Sequence, residues 1–249
     1  MLTGRPAIFM NRPYLSIIIP AFNEERRILG TLQQVVAHLG RQSYPAEVVV
    51  VDDGSTDATG HLVGGFAAAH PLVKLIRNPH RGKGYAVKTG MMEARGEYRF
   101  QCDADLSMPI KELGRFLPPQ RNHFDVAVGS REGQGARRFG EPRYRHIMGR
   151  VFNFIVQAVA VRGLADTQCG FKCFRGEAAD MLFPLQRTCG FGSDVEVLFI
   201  ARKHGLSIVE VPIPWYHQNE SKVRPVLDTA VMLRETLQVR WNALRGKYG

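Results

Sequence analysis

The chain has 249 residues and a formal charge of +10, with 45% hydrophobic and 22% charged residues. That balance excludes a disordered chain, and four cysteines (Cys102, Cys169, Cys173, Cys189) without a paired C-x-x-C spacing exclude a disulfide scaffold and a zinc module. The excess positive charge calls for anionic partners: phosphate groups, nucleic acid or an acidic membrane surface.

Residues 15–19 form a short β-branched run closed by Pro20, which predicts a buried parallel strand. Asn23, Glu24 and Glu25 follow, then a helical face of Ile28, Leu32, Val35, Val36 and Leu39. Residues 47–51 repeat the strand pattern and run into Asp52-Asp53-Gly54-Ser55-Thr56-Asp57. Next come a strand at 73–76, a basic glycine loop at 78–84 and a helix at 85–94. A strand at 98–102 then delivers Asp103-Ala104-Asp105.

Strands alternating with helices predict βαβ units and a mainly parallel sheet. In such sheets ligands bind beyond the carboxyl ends of the strands. Asn23 with Glu24, Asp52 with Asp53, and Asp103 with Asp105 all fall at those ends, and the basic loop follows another strand. An extended Asp-x-Asp turns both carboxylates to one side, and hard oxygen ligands suit Mg²⁺ or Mn²⁺ bound together with substrate phosphates. The loop Asn78-Pro79-His80-Arg81-Gly82-Lys83-Gly84 has the glycines and cations to cradle phosphate. It lacks the Walker A spacing, and no G-x-G-x-x-G follows a strand, so the kinase and dehydrogenase readings lose their main signals.

The second half is less regular. A fifth strand is predicted at 124–129, then a mobile Gly/Arg-rich loop at 132–145 and a mostly apolar helix at 147–161. Helices follow at 176–183 and 193–204, and an edge strand at 207–215 contains Pro212 and Pro214. A final helix at 226–244 puts Val226, Ala230, Leu233, Leu237, Trp241 and Leu244 on one stripe. Core packing or an interfacial membrane contact explains that stripe, with Arg234, Arg240 and Arg245 beside it and Trp241 at the headgroup level. Cys169 and Cys173 read as core residues rather than a metal pair. No signal peptide is visible from Met1 to Tyr14, and the run at 147–161 is broken by Arg150, Asn153 and Gln157 and falls short of the roughly 20 residues of a spanning helix.

Three motifs, Ile17-Ile18-Ile19-Pro20-Ala21-Phe22-Asn23-Glu24-Glu25, Val51-Asp52-Asp53-Gly54-Ser55-Thr56-Asp57 and Asp103-Ala104-Asp105, resemble the signature of the family 2 glycosyltransferases. Arg81-Gly82-Lys83-Gly84, Gly129-Ser130-Arg131, residues 166–172 (DTQCGFK), Asp194-Val195-Glu196, and Trp215 followed by Glu220-Ser221-Lys222 resemble its dolichyl-phosphate β-glucosyltransferase branch. The likeness runs over about residues 15 to 245. It implies an α/β, GT-A fold with a single mainly parallel sheet flanked by helices: one domain, with a Rossmann-like nucleotide-sugar half at 15–131 and an acceptor half at 132–249 that ends in the amphipathic helix.

By the same resemblance Pro20, Phe22, Asn23, Glu24, Asp52, Asp53, Lys83 and Asp103 bind the nucleotide, Asp53 facing the uracil imide. Asp103 and Asp105 serve the metal, with Ser107 where mannosyl relatives carry a metal-binding Gln. Arg131, Arg145 and Lys222 meet the acceptor phosphate, and Asp105, Arg131, Arg145 and Asp194 form the catalytic group. The implied reaction is inverting transfer of glucose from UDP-glucose to a polyprenyl phosphate, with Mg²⁺ or Mn²⁺. Such an acceptor is already an anion, so attack on C1 needs no strong base; Asp194 or Glu196 would act as one only toward a hydroxyl. The alternatives are a GDP-mannose-dependent enzyme or another family 2 hexosyltransferase, and, in a different class, a non-catalytic nucleotide- or nucleic-acid-binding protein. The acidic edge counts against nucleic acid. Two departures stand out: Ala21 replaces an expected tyrosine-like residue, and the N-terminal anchor common in the glucosyl branch is missing. The expectation is a cytoplasmic protein, peripheral on the cytoplasmic face of a membrane.

Overall fold

The computed structural model describes residues 12–218 and 225–249, the side chains of Arg145 and of residues 225–228 excepted. In the first half β1 (Leu15–Ala21), α1 (Ile28–Leu39), β2 (Ala46–Asp52), α2 (Thr59–Ala69), β3 (Val73–Arg77), α3 (Lys83–Glu93) and β4 (Tyr98–Gln101) alternate as the hydrophobic pattern predicts. Ile17, Ile18 and Ile19 are all fully buried, because β1 is covered on both faces and so has no polar side to alternate. Its parallel neighbours are β2, with Ile17 opposite Val48, and β4, with Ile17 opposite Phe100.

The second half contains a short 3-10 helix, Ile110–Phe116, then β5 (Val126–Ser130), β6 (Arg137–Phe139), α4 (Arg143–Val159), β7 (Lys172–Arg175), α5 (Gly176–Leu185), α6 (Ser193–Lys203), β8 (Ile208–Pro212), β9 (Pro214–Tyr216) and α7 (Pro225–Leu244). The seven-stranded sheet has the order β3-β2-β1-β4-β7-β5-β8, with β7 antiparallel to both β4 and β5 and β8 on the edge. Strands β6 and β9 pair separately and in parallel.

Three elements depart from the sequence reading. Strand β7 is central yet begins with a lysine, so it carries no strand signature; Lys172 is tolerated at 1% exposure because a carboxylate meets it. The run at 207–215 is two strands parted at Ile213, the second leaving the main sheet to join β6 from within the expected loop.

Alternate residues of the sheet feed two core layers. Ile17, Ile19, Val48 and Val50 pack with Leu32 and Val35 of α1 and Val63 of α2. Ile18, Val49 and Val51 pack with Met91 of α3, Leu182 of α5, Leu198 of α6 and Val239 of α7. Truncating one such side chain to Ala costs about 2–5 kcal/mol. Helix α3 lies close on the sheet because Gly90 has no side chain: a Cβ there would come within 2.4 Å of Ile18 Cγ2. That close seat sets the first residue of α3, Lys83, at the carboxyl edge of the strands. Cys169 and Cys173 are buried core residues, and burial pushes the Cys169 thiol up to about 12.

The last helix is rotated from the core-packing alternative. Thr236, Val239 and Asn242 face inward, whereas Leu237, Trp241 and Leu244 are 61%, 55% and 79% exposed. The inward polar groups find local partners, Thr236 Oγ1 donating to the Met232 carbonyl and Asn242 Nδ2 to Tyr248 Oη. On α4, which packs against α7, Phe152 and Val156 are buried while Ile147, Val151 and Phe154 stand in solvent.

Candidate active site

The turns after β1 and β2 are laced together. Asn23, at φ 54°, accepts the Thr56 N–H at 2.8 Å through Oδ1, and the Glu24 N–H donates to Thr59 Oγ1 at 2.7 Å. Asp52 accepts the Ser55 N–H at 2.9 Å. Asp53 accepts the N–H groups of Arg81 and Gly82 at 3.1 and 2.8 Å and lies 2.7 Å from His80 Nδ1. Its carboxylate therefore shapes the basic loop, and His80 stacks on Phe22 at 4.1 Å. Asp52 and Asp53 were expected against the nucleotide, with Asp53 on the imide. Both are buried in turns, at 5% and 2% exposure, Asp52 accepting the Ser55 N–H and Asp53 meeting the Arg81 and Gly82 N–H groups and His80. Pro20 and Phe22 remain partly open beside them.

Lys83 and the acidic pair occupy the next position along the edge. Lys83 Nζ lies 2.7 Å from Asp103 Oδ1. Burial works against its charge, but Asp103, Asp194 and Asp105 outweigh it and hold the ammonium above its ordinary value. Asp105 accepts the Ser107 N–H at 2.9 Å. Its carboxyl is raised, first by burial and then by the neighbouring charge of Asp103. Gly170 presses against the pair, since a Cβ there would fall 1.8 Å from Asp103 Oδ2. Two hard carboxylates crowded together, with the Ser107 hydroxyl beside them, fit a divalent cation, which would relieve their repulsion. Among the described residues no group of three or more His, Cys, Asp or Glu forms a closed cage. The donor set therefore suits an ion that completes its shell with substrate phosphates.

Behind this pair lies a buried network. Lys172 Nζ donates to Asp194 Oδ1 at 2.6 Å and to the Cys169 carbonyl at 2.5 Å, and Gln101 Nε2 reaches the same Asp194 oxygen at 3.3 Å. Protonating Asp194 would break the ion pair and strand a buried ammonium, which makes it a poor general base. Glu196 is fully buried and turned away. Its oxygens accept Tyr248 Oη–H at 2.5 Å and the N–H groups of Arg187 and Thr188 at 3.0 and 2.7 Å, so the sequence reading of it as a possible base fails on access.

On the opposite side of the site Arg131 grips Asp166 with Nε and Nη2 at 2.6 and 2.9 Å, and its own N–H joins at 3.1 Å. Burial raises the Asp166 carboxyl, yet Arg131 outweighs it and brings it down to about 2. The guanidinium carbons of Arg131 and Arg138 lie 5.5 and 6.0 Å from the Trp215 ring centre. A cavity of about 300 Å³ joins the two sides, lined at one end by Lys83, Asp103, Asp105, Ser107 and Asp194 and at the other by Arg131, Arg138, Arg150 and Trp215. Arg145 belongs to α4, and Lys222 lies outside the described residues. Arg138, Glu132, Arg150 and His146 were absent from the candidate residues. Glu132 and Arg138 sit in the segment read as a loop and Arg150 in the helix read at 147–161, with His146 between them, and the one available signal was the density of arginine and glutamate.

Residues 16–183 match the model of glycosyl transferase family 2. The chain belongs to that family. A dolichyl-phosphate β-glucosyltransferase of Dictyostelium discoideum is 33% identical over 94% of this chain and 76% of its own length. Those of Drosophila melanogaster and Homo sapiens are 34% and 30% identical, covering 90% and 94% of this chain and 74% and 77% of theirs. Among solved structures, the glucosyl-3-phosphoglycerate synthase of Mycobacterium tuberculosis in complex with Mn²⁺, UDP-glucose and phosphoglyceric acid superposes with a TM-score of 0.63. Identity is 19%, over 95% of this chain and 80% of that one. Mannosyl-3-phosphoglycerate synthase of Rubrobacter xylanophilus gives 0.66 at 18% identity, over 94% and 75%. The family 2 chain thus has the GT-A fold that its strand-end motifs led one to expect.

Proposed function

We propose that this family 2 glycosyltransferase moves glucose from UDP-glucose to a polyprenyl phosphate of the dolichyl type, with inversion at the sugar C1. One observation carries the reading: a single cavity runs from Lys83, Asp103 and Asp105 to Arg131, Arg138 and Trp215, and its other carboxylates are each engaged by a cation, Asp194 by Lys172, Asp166 by Arg131, and Glu132 and Glu141 by Arg138. A site with cations at both ends, whose other carboxylates are already ion-paired, suits a nucleophile that arrives as an anion. Residues 15–131 then serve the donor and residues 132–249 the acceptor.

In that role Lys83 meets the donor diphosphate from the first turn of α3, where the helix N-terminus adds its own attraction for anions. Asp103 and Asp105, with Ser107, hold the divalent cation, Mg²⁺ or Mn²⁺. When bound, the cation neutralises charge building on the departing diphosphate. Arg131, fixed by Asp166 over Trp215, brings the acceptor phosphate to the opposite face of C1, with Arg145 and Lys222 as further phosphate contacts. Lys172 keeps Asp194 ordered at the floor. The relatives named as dolichyl-phosphate β-glucosyltransferases support both donor and acceptor.

The acceptor lives in a bilayer, and the outward apolar residues of α7 and α4 supply a means of meeting it. Among the described residues no helix is long and apolar enough to cross a membrane. Leu237, Trp241 and Leu244, with Arg245 over the Trp241 ring at 4.6 Å, suit an interfacial seat on the cytoplasmic leaflet. The test is a panel of labelled UDP- and GDP-sugars offered with polyprenyl phosphate. UDP-glucose yields a β-linked glycolipid; GDP-mannose as the working donor replaces the sugar assignment, and no lipid-linked product from any donor overturns the function.

A further inference from the structure

Within the cavity one carboxylate stands where an anion would be expected. Glu132 Oε1 takes Arg138 Nη2 at 2.6 Å and faces His146 Nε2 at 3.1 Å, while Oε2 lies 3.5 Å from Arg150 Nη1. Three nitrogen donors from β6 and α4 thus converge on a single glutamate at the cavity wall. Arg138 is also held by Glu141 at 2.5 Å and by the Arg131 carbonyl at 3.2 Å, so its fork keeps its place whatever occupies the Glu132 position. Arg150, by contrast, is more than half exposed, and among the described residues it has only the long contact to Glu132.

We propose that Glu132 occupies the acceptor-phosphate subsite as an internal stand-in, and that a phosphate monoester displaces it from Arg138, His146 and Arg150. The proposal rests on the acceptor reading given above. Three donors match a monoester better than a carboxylate: the monoester brings three terminal oxygens and a charge of about −1.5 to −2, against two oxygens and one charge. Transfer then reverses the balance. As the C1 bond to the nucleotide breaks and the bond from phosphate oxygen to C1 forms, the monoester becomes a diester with one negative charge. Glu132 then competes on nearly equal terms and helps the product leave.

The test compares wild type with Glu132→Gln and Arg150→Gln, measuring the acceptor KM, the donor KM, product inhibition, and inorganic phosphate as inhibitor. With the competing carboxylate gone, Glu132→Gln should lower the acceptor KM about five-fold, leave the donor KM unchanged, and strengthen inhibition by added glycolipid product. Inorganic phosphate should compete with the acceptor and bind more tightly by a similar factor, and Arg150→Gln should weaken both ligands. An unchanged or raised acceptor KM in Glu132→Gln overturns the proposal. Tighter inorganic phosphate with an unchanged acceptor KM assigns the subsite to free phosphate and overturns it equally. Calorimetric binding of inorganic phosphate and of a short-chain polyprenyl phosphate needs no turnover. It therefore decides the matter even if the glucosyl-transfer reading itself fails, tighter binding of both in Glu132→Gln supporting the stand-in and unchanged binding rejecting it.

Discussion

The two ends of the cavity are assembled by different means. At the donor end the charged groups come from turns that directly follow strands, and the turns are stitched to one another by backbone N–H groups donating to side-chain oxygens, Thr56 to Asn23 and Gly82 to Asp53. At the acceptor end charges are instead matched side chain to side chain, Arg131 to Asp166, as they are at the cavity floor, Lys172 to Asp194. The donor edge thus rests on side-chain oxygens that order backbone, whereas the acceptor wall and the floor rest on ion pairs whose two charges must be neutralised together.

That contrast orders what substitutions should do. Asp105→Asn should reduce turnover about a thousand-fold or more with little change in melting, because the carboxyl it removes is disfavoured by burial and by Asp103; an unaltered rate with saturating metal would remove Asp105 from the site. Gly170→Ala, forcing Asp103 from its place, should cost about a hundred-fold in rate while the fold persists. A full rate in this variant would mean that the close approach is relaxed at no cost.

For the ion pairs the effect moves from rate to stability. Lys172→Met leaves Asp194 buried without its cation and should destabilise by about 3–5 kcal/mol, much of it recovered when Asp194→Leu is added; additive losses in a denaturant series would show the two to be uncoupled. Asp166→Asn should cost about 2 kcal/mol near neutral pH, from a carboxyl lowered from its ordinary 3.8 to about 2. Since the folded value is the lower one, this contribution is complete above about pH 4 and fades as pH falls toward 2. The melting gap between the two proteins should close over that window, and a gap independent of pH would locate the effect elsewhere. Smallest of all for the isolated protein, Leu237→Glu should shift stability by no more than about 0.5 kcal/mol yet weaken sedimentation with anionic vesicles, as a co-sedimentation series would reveal.

Legibility in sequence follows the same division. The parallel half could be read because β-branched runs such as residues 47–51 and the acidic turns after them are contiguous in the chain. Strand β7 could not, since its defining residue, Lys172, looks polar until Asp194 is beside it. The apolar stripe of α7 was visible as a stripe, but its direction was not: Thr236 and Asn242 point inward only because Met232 and Tyr248 satisfy them. Asp53 was singled out for the uracil imide, and its carboxylate also binds the basic loop, a contact that spacing along the chain does not show. Asp103, Asp105, Lys83 and Arg131 do meet at one cavity, which is as far as spacing and resemblance together reached.

Arg131 carries one consequence beyond charge. An arginine in solvent has about 2 kcal/mol of rotamer freedom to lose when it grips an anion. Here one edge of the guanidinium, Nε with Nη2, is fixed by Asp166 and its face lies near Trp215, so that ordering is complete once the chain has folded. A ligand meeting Arg131 encounters a stationary partner, and the discrimination it exerts is one of shape and distance, since the group does not travel to meet a misplaced phosphate.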